Sequence, residues 1–235
     1  MVESCLAKDE TRAERVRELF DSIAPRYDLI NDLQSFWLHR RWKRRLVQLA
    51  EAKPGKRALD LCCGTGDIAF ALADNGAKIT AIDFSEPMLK IAEKRKGDAD
   101  IVYKTGDALN TGEPDNHYDC VTIAYGLRNL ADFEGGLAEM HRVAKPGGKL
   151  LVLDFGKPPS GLVRFWYLGY LKWMVPCFGR IFSKDASAYA YIHESLKDYP
   201  AQAGIADTMK KLGCQEMKIH NLMFGAMAIN VGVKV

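Results

Sequence analysis

The stretch that most constrains the fold is residues 57–67, where a short apolar run leads directly into a glycine-containing turn and then a helical pattern. Residues 58–62 are typical of a buried strand. Gly64-Thr65-Gly66 follows, and glycine suits a tight turn because it can adopt positive φ and lets a ligand approach the backbone. The stretch therefore predicts a strand, a ligand-binding turn and a helix that begins with the apolar residues Ile68, Phe70, Ala71 and Leu72.

The strand-helix unit repeats as far as residue 154. Strands are predicted over 57–62, 78–83, 101–104, 118–124 and 149–154, with helices over 66–75, 86–95 and 132–144. Such alternation is typical of a parallel sheet covered on both faces, with ligands bound at the carboxyl ends of the strands. A helix over 201–212 and two closing strands, 215–220 and 226–234, are expected to add an antiparallel edge, which gives an α/β, Rossmann-like fold with a mostly parallel sheet.

Acidic residues accompany three successive strand-like runs, at Asp60, Asp83 and Asp107. A carboxylate in this position can accept hydrogen bonds from both hydroxyls of a ribose, which indicates an adenosine site. A pyrophosphate binder would need the helix N-terminus free for an anion, but here Asp67 closes the glycine turn. Because an acid beside the turn suits a cationic ligand, the residues favour S-adenosylmethionine over a dinucleotide.

Length and composition narrow the class of protein. The 235 residues suit one domain with a generous core, and the net charge of +3 is too small to indicate nucleic acid by itself. The six cysteines show no metal-ligand spacing, so we expect no metal, packing roles for Cys62 and Cys63, and a cytoplasmic location. No apolar run reaches the roughly 18 residues that a bilayer span needs, although peripheral contact with a membrane is left open.

The residues before the sheet predict added helices. A helix is expected over 10–24, then a polar and aromatic segment over 27–32, then a second helix through Trp37, Trp42, Leu46 and Leu49. The basic residues between His39 and Arg45 either form a solvated face or contact anionic headgroups or an acidic substrate. We divide the chain into an N-terminal helical lid, residues 1–52, and a cofactor-binding domain, residues 53–235.

An aromatic insert at about 157–198 interrupts the regular pattern. It includes Leu162, Phe165, Trp166, Trp173, Pro176, Phe178, Ile181 and Phe182, with Arg164, Lys172 and Arg180 among them. These side chains either pack on the edge of the sheet, or they line an apolar pocket or touch lipid with the cations at headgroup level.

Three sequence motifs resemble the quinone-biosynthesis C-methyltransferases, a group of class I S-adenosylmethionine-dependent methyltransferases that includes the demethylmenaquinone, ubiquinone and phylloquinone enzymes. The first lies at residues 20–43, the second is Tyr125-Gly-Leu-Arg-Asn129, and the third spans residues 142–158. The resemblance covers about residues 15–225. Two positions depart from the usual pattern: Ala124 stands where many relatives have serine, and Cys62 replaces the first glycine of the general motif.

The resemblance implies S-adenosylmethionine as cofactor and the ring carbon of a prenylated quinol as acceptor, and it leaves a homodimer open. The implied cofactor-binding residues are Asp60, Gly64, Thr65, Gly66, Asp83, Phe84, Met88, Asp107 and Ala108. Those for the substrate are Phe20, Tyr27, Asn31, His39 and Tyr125. The implied catalytic residues are Arg128 and Asn129.

A quinol carbon becomes a nucleophile when a phenolic proton is lost, so the enzyme must orient the ring and stabilise phenolate charge. Arg128 is the candidate for stabilising that charge or holding a water that accepts the proton, and Asn129 for orienting the ring. His39 and Tyr27 are secondary candidates for proton transfer. Arg128 could instead only pair with Asp154 or another acid at a strand end.

Two other functions share the same cofactor residues: a class I methyltransferase acting on another small lipophilic acceptor, and a non-catalytic cofactor-binding subunit of a quinone-biosynthesis complex. Nucleic-acid methylation is disfavoured, because the Asn/Asp-Pro-Pro-aromatic motif of amine methylation is not present and the one basic cluster is confined to residues 40–45. A naphthoquinol is our first choice of ring over a benzoquinol.

Overall fold

A computed structural model describes residues 10–174, 196 and 199–235. At its centre is a seven-stranded sheet in the order β3-β2-β1-β4-β5-β7-β6. The first five strands pair in parallel, and β7 runs antiparallel to both β5 and β6. This confirms the predicted sheet with its antiparallel edge. The strands are β1 Arg57–Leu61, β2 Lys78–Asp83, β3 Ile101–Thr105, β4 Tyr118–Ala124, β5 Ala144–Phe155, β6 Gln215–Leu222 and β7 Met227–Val233.

Helices cover both faces of the sheet, because the apolar side chains of each strand point alternately to one face and to the other. On β1, Leu59 and Leu61 belong to a core cluster with α6 and α8, whereas Ala58 belongs to a second cluster with α3 and α4. The second half of α3 is part of this core, since Leu46 and Val47 are buried there. The helices are α1 Glu10–Ile23, α2 Tyr27–Gln34, α3 Leu38–Ala50, α4 Asp67–Asp74, α5 Glu86–Arg95, α6 Phe133–Val143, α7 Gly161–Gly169 and α8 Ala201–Lys211.

Residues 27–32, which were expected only as a polar and aromatic segment between two helices, belong to a helix of their own, α2. Two acids of α2 have partners on other elements: Asp28 accepts a hydrogen bond from the Thr65 hydroxyl, and Asp32 accepts two from Arg40. Trp37 was expected within the second helix, but it lies just before α3, where its φ of 61° is in the left-handed region.

The other predicted elements are of the expected type and differ from the prediction only in where they begin or end. The predicted strand 149–154 is the end of the longer β5, which begins where Ala144 pairs with Tyr118. At the closing pair, β6 extends to Leu222, and a short 3-10 turn, Met223–Gly225, follows it.

The described part of the aromatic insert forms α7 and one wider π-helical turn, Tyr170–Met174. The rest of the insert, with Pro176, Phe178, Ile181 and Phe182, lies outside the described residues. Within the described chain, we find no helix with the length and apolar character needed to cross a membrane.

Candidate active site

Two adjoining cavities lie at the carboxyl ends of the parallel strands. The smaller, of about 400 Å³, is lined by residues that follow β1, β2, β3 and β4 and by α1. The larger, of about 510 Å³, is lined by α1 to α3, the segments after β4 and β5, α7 and the turn after β6. Phe20, Tyr27 and Tyr125 line both cavities, so these rings form their common wall.

Asp83, at the end of β2, supplies a buried carboxylate to the smaller cavity. Its two oxygens accept hydrogen bonds from the backbone N–H groups of Gly64, at 2.8 Å, and Ser85, at 2.9 Å. Burial raises the pKa of this carboxyl. The rest of the wall is mostly apolar and is formed by Ile82, Phe84, Met88, Asp107, Ala108 and Leu109. A cavity that combines the fixed carboxylate of Asp83 with such a wall suits an adenosine.

The two turn glycines have different roles. Gly64 lines the smaller cavity at a φ of 55°, and a side chain there would point towards the ring of Tyr27. Gly66 lies outside the cavity lining, and a Cβ there would approach the Tyr103 hydroxyl to 2.8 Å and the Phe70 ring to 2.9 Å. Gly64 therefore faces a ligand, whereas Gly66 allows the turn to pack on its neighbours.

Asp60 and Thr65 also lie outside the cavity lining. Asp60 is buried within β1 and accepts a hydrogen bond of 2.7 Å from the hydroxyl of Thr122. Burial raises the pKa of Asp60 to about 7. The Thr65 hydroxyl donates to Asp28 instead, so neither of these predicted cofactor residues faces the cavity. Sequence spacing alone could not separate them from Asp83.

A network of charges joins the N-terminal helices to the glycine turn. Arg95 donates to Asp28 at 3.0 Å, to the Thr65 carbonyl at 3.1 Å and to Asp67 at 2.8 Å. Lys43 donates to the other oxygen of Asp67 at 2.9 Å. Burial alone would raise the pKa of Asp67, but the two cations together lower it to about 2. Asp67, expected to complement a cationic cofactor, is thus paired with two cations of the protein and lies outside the lining of the smaller cavity.

The same helices account for part of the basic cluster. Arg40 makes two hydrogen bonds to Asp32, at 2.7 and 2.6 Å, and Lys43 pairs with Asp67. These two cations hold helices together, so neither is a simple solvated charge.

Arg128 is a buried cation in the lining of the larger cavity. Its Nε lies 3.3 Å from Asp154, its NH1 donates to Asn129, and its guanidinium lies 4.9 Å from the centre of the Phe155 ring. Asp154 also accepts a hydrogen bond from Tyr199 at 3.2 Å. The pairing with Asp154 that the sequence left open is therefore present, and Arg128 faces the cavity at the same time.

Asn129 lines the smaller cavity, next to the wall that the two cavities share. Its amide donates to the Tyr125 carbonyl at 3.1 Å, and its oxygen accepts from Arg128. The two predicted catalytic residues are thus joined to each other while each faces a different cavity.

All five predicted substrate residues line the larger cavity: Phe20, Tyr27, Asn31, His39 and Tyr125. Phe20 stands edge-on to Tyr27 and to Phe84, with ring centres 6.0 and 6.4 Å apart. His39 Nδ1 lies 2.7 Å from the hydroxyl of Ser35. Burial, followed by the charge of Lys43, lowers the pKa of His39 to about 4, so this histidine is neutral at pH 7. Asn31 completes the group from the next turn of α2.

Several cavity residues were missed from the sequence. Met223 and Phe224 reach the larger cavity from the turn after β6, and Gln34 and Trp42 reach it from α2 and α3. Only Trp42 carried a signal, as a large apolar residue of a predicted helix. The turn at 223–225 has no periodic pattern, and only the tertiary fold brings it to the site.

The sequence comparisons with known proteins all indicate the same protein family. The sequence profile of the ubiE/COQ5 methyltransferase family matches residues 8–234. A demethylmenaquinone methyltransferase from Desulfitobacterium hafniense is 40% identical over 95% of this chain and 91% of its own. A ubiquinone/menaquinone biosynthesis C-methyltransferase UbiE from Shewanella halifaxensis is 39% identical over 96% and 92%.

Solved structures support the same fold at lower identity. A SAM-dependent methyltransferase from Thermotoga maritima matches with a TM-score of 0.66 and 21% identity over 94% of this chain and all of its own. Phosphoethanolamine N-methyltransferase 2 from Haemonchus contortus, solved with S-adenosyl-L-methionine, matches with a TM-score of 0.63 and 17% identity over 83% of this chain and 52% of its own. On this evidence the chain belongs to the ubiE/COQ5 methyltransferase family and is an S-adenosylmethionine-dependent methyltransferase.

Proposed function

We propose that this enzyme methylates a ring carbon of a prenylated quinol, with a naphthoquinol as its acceptor. The observation that carries the proposal is the apolar cavity of about 510 Å³ that adjoins the cofactor cavity and contains the buried cation Arg128. An apolar cavity fits an aromatic ring and the start of a prenyl tail, and the named relatives act in menaquinone and ubiquinone biosynthesis.

The residues of the site fit the electrostatic needs of carbon methylation. S-adenosylmethionine, when bound, supplies an electrophilic methyl group, and the acceptor must be the reduced quinol, whose phenolate makes its ring carbon nucleophilic. Arg128 is placed to stabilise that phenolate, and Asp154 fixes the position of its guanidinium. Arg128 itself is a poor base because a guanidinium group is always protonated in proteins. His39 is neutral at pH 7 but is a weak base, with a pKa of about 4.

We also propose that the larger cavity opens towards a membrane surface. Three aromatic residues line it and are strongly exposed: Phe36 at 61%, Trp166 at 70% and Phe224 at 82%. They come from the α2–α3 turn, from α7 and from the turn after β6. Exposed aromatic side chains grouped at one opening suit the boundary between water and lipid, where a prenylated substrate resides.

The N-terminal helices serve in this proposal as a lid over both cavities. Phe20 and Tyr27 contribute to the common wall, and Asp28 ties α2 to the glycine turn through Thr65 and Arg95. Helix α3 is a poor candidate for large movement, because its second half is packed in the core.

The decisive experiment measures methyl transfer from labelled S-adenosylmethionine to chemically reduced demethylmenaquinol and to a reduced demethylated benzoquinol. Each has its oxidised quinone as control. Product from a reduced ring but not from its quinone supports carbon methylation and identifies the ring. Tight cofactor binding without transfer to either ring would contradict the proposal and favour another lipophilic acceptor or a non-catalytic subunit.

A further inference from the structure

The larger cavity has buried polar atoms that the fold leaves without a partner. The hydroxyl oxygens of Tyr125 and Tyr167 and the side-chain nitrogen of Gln34 are buried in its wall, and none has a hydrogen-bond partner among the described residues. Buried polar groups are nearly always hydrogen-bonded, since an unmet donor costs free energy. Three such groups around one cavity therefore indicate a ligand that carries hydrogen-bond acceptors.

Tyr125 is held rigidly at the wall that both cavities share. Its φ of 62° is a left-handed conformation that a bulky residue rarely adopts. The backbone is fixed on both sides, because its N–H donates to the Leu153 carbonyl at 2.8 Å and its carbonyl accepts from Asn129 at 3.1 Å. The ring packs edge-on against Phe155, with centres 6.2 Å apart. A strained position fixed in this way is typical of functional sites.

Tyr167 reaches the same region from α7. Burial raises the pKa of both phenols, and Arg128 lines the same cavity as Tyr125 and Tyr167. Both phenols keep their protons at neutral pH, so each can donate a hydrogen bond to a negatively charged oxygen. The cavity thus combines one cation and two neutral phenol donors in a lining that is mostly apolar.

We propose that the hydroxyls of Tyr125 and Tyr167 donate hydrogen bonds to an oxygen of the acceptor ring, beside Arg128, and so position an oxygenated aromatic ring against the common wall. This inference rests on the proposed function, because it names the contacts that hold the quinol. It assigns the two tyrosines as positioning and specificity residues that keep their protons throughout. Gln34, at the end of α2, supplies a third donor to the same cavity.

The test is equilibrium binding to the full chain without cofactor, followed by quenching of tryptophan fluorescence. The probes are 2-decyl-1,4-naphthoquinone and 2-decylnaphthalene, which has the same ring and tail but no oxygen. Tyr125→Phe and Tyr167→Phe should each weaken quinone binding about tenfold and leave naphthalene binding unchanged, since one lost hydrogen bond corresponds to about this factor. Unchanged quinone affinity in both variants, or equal losses for both probes, would overturn the inference.

Tyr103→Phe is the matched control. The Tyr103 hydroxyl is also buried without a partner among the described residues, yet Tyr103 lines neither cavity. This variant should bind both probes like the original chain. A loss equal to that of Tyr125→Phe would show that removing any buried hydroxyl is sufficient, and would also overturn the inference.

Turnover separates this inference from the proposed function. With a reduced quinol, Tyr125→Phe should lower kcat as well as raise KM, and should move the pH at which kcat rises to a more alkaline value, because a donor to the phenolate has been lost. If the original chain binds the quinone selectively but methylates no quinol, the proposed function fails and the inference stands. If it methylates a quinol and both variants keep its kinetics and pH profile, only the inference fails.

Discussion

Arg128 shows how one side chain can have a structural and a chemical role. Its guanidinium pairs with Asp154 and also faces the larger cavity. Removing it takes a positive charge from the cavity and leaves a carboxylate buried without that partner, and the second effect alone destabilises proteins by about 3–5 kcal/mol. A simple loss of activity would therefore not distinguish the two roles.

For Arg128→Ala, we expect turnover to fall on the order of a hundredfold or more, because charge stabilisation at the ring oxygen is lost. Cofactor affinity, measured by calorimetry, should change little, since Arg128 lines the other cavity. The double variant Arg128→Ala/Asp154→Asn removes the unpaired charge and should recover much of the thermal stability but none of the turnover. Recovery of turnover in the double variant would assign Arg128 a structural role alone.

A second pair of variants tests which acid binds the cofactor. Asp83→Asn should weaken S-adenosylmethionine binding about tenfold or more, because hydrogen bonds to a charged carboxylate contribute about 1.5–3 kcal/mol. Asp60→Asn should leave the dissociation constant nearly unchanged, since Asp60 lies outside the cavity lining. Calorimetric titration of both variants makes the comparison. Equal losses would restore the role that the sequence suggested for Asp60.

Asp60 should also make the free energy of unfolding depend on pH, in the direction opposite to that of most carboxylates. Burial raises its pKa from the ordinary 3.8 to about 7, so between these values the folded chain holds a proton that the unfolded chain releases. The contribution of Asp60 to stability is thus greatest at low pH and is lost as pH rises through 7. Compared with Asp60→Asn in urea unfolding from about pH 5 to about pH 9, the original chain should lose relative stability. A parallel pH dependence in both proteins would contradict this.

At the scale of elements, the strands and the helices α1 and α3 were predictable, whereas helix α2 was not. Apolar runs marked β1, β2 and β4 to within a residue, because buried parallel strands carry a continuous apolar sequence. Helix α2 had no comparable signal, since its asparagine and aspartates have low helix propensity. What holds it is tertiary: Asp28 and Asp32 are bound by Thr65 and Arg40. Side-chain partners distant in sequence cannot be inferred from local pattern.

The charge network between α2, α5 and the glycine turn makes a prediction about opening. Arg95→Ala removes three hydrogen bonds that reach Asp28, Thr65 and Asp67. Its side chain is 41% exposed, so global stability should fall by no more than about 1 kcal/mol. Amide hydrogen exchange in residues 16–34 should become faster, and cofactor should dissociate faster, because α2 is less firmly held.

Lys90→Ala is the control for this experiment. Lys90 lies on the same helix and makes an exposed pair with Glu86 at 3.9 Å. It should leave both exchange and cofactor dissociation unchanged. Equal exchange rates for Arg95→Ala and Lys90→Ala would show that the network does not hold the N-terminal helices.

At the scale of the whole molecule, the exposed aromatic residues predict binding to vesicles. The triple variant Phe36→Ser/Trp166→Ser/Phe224→Ser should reduce co-sedimentation with anionic liposomes several-fold, because it removes the apolar side chains that would enter the interface. Val102→Ser is the control, since Val102 is 52% exposed on β3 and lines neither cavity. Circular dichroism checks that the triple variant is folded. Equal sedimentation of all three proteins would contradict a membrane contact at this opening.

The two cavities differ in the exposed residues that border them as well as in the residues that line their walls. The cofactor cavity is bordered by the exposed polar residues Glu14 and Arg17 of α1, whereas the larger cavity is bordered by exposed aromatic rings. Water-soluble and lipid-soluble reactants can then enter by separate routes. Under the membrane contact proposed above, the enzyme would exchange spent cofactor with the solvent between turnovers while it stays adsorbed to one bilayer. Its rate is then expected to follow the mole fraction of quinol within the lipid rather than the amount of quinol per volume of solution.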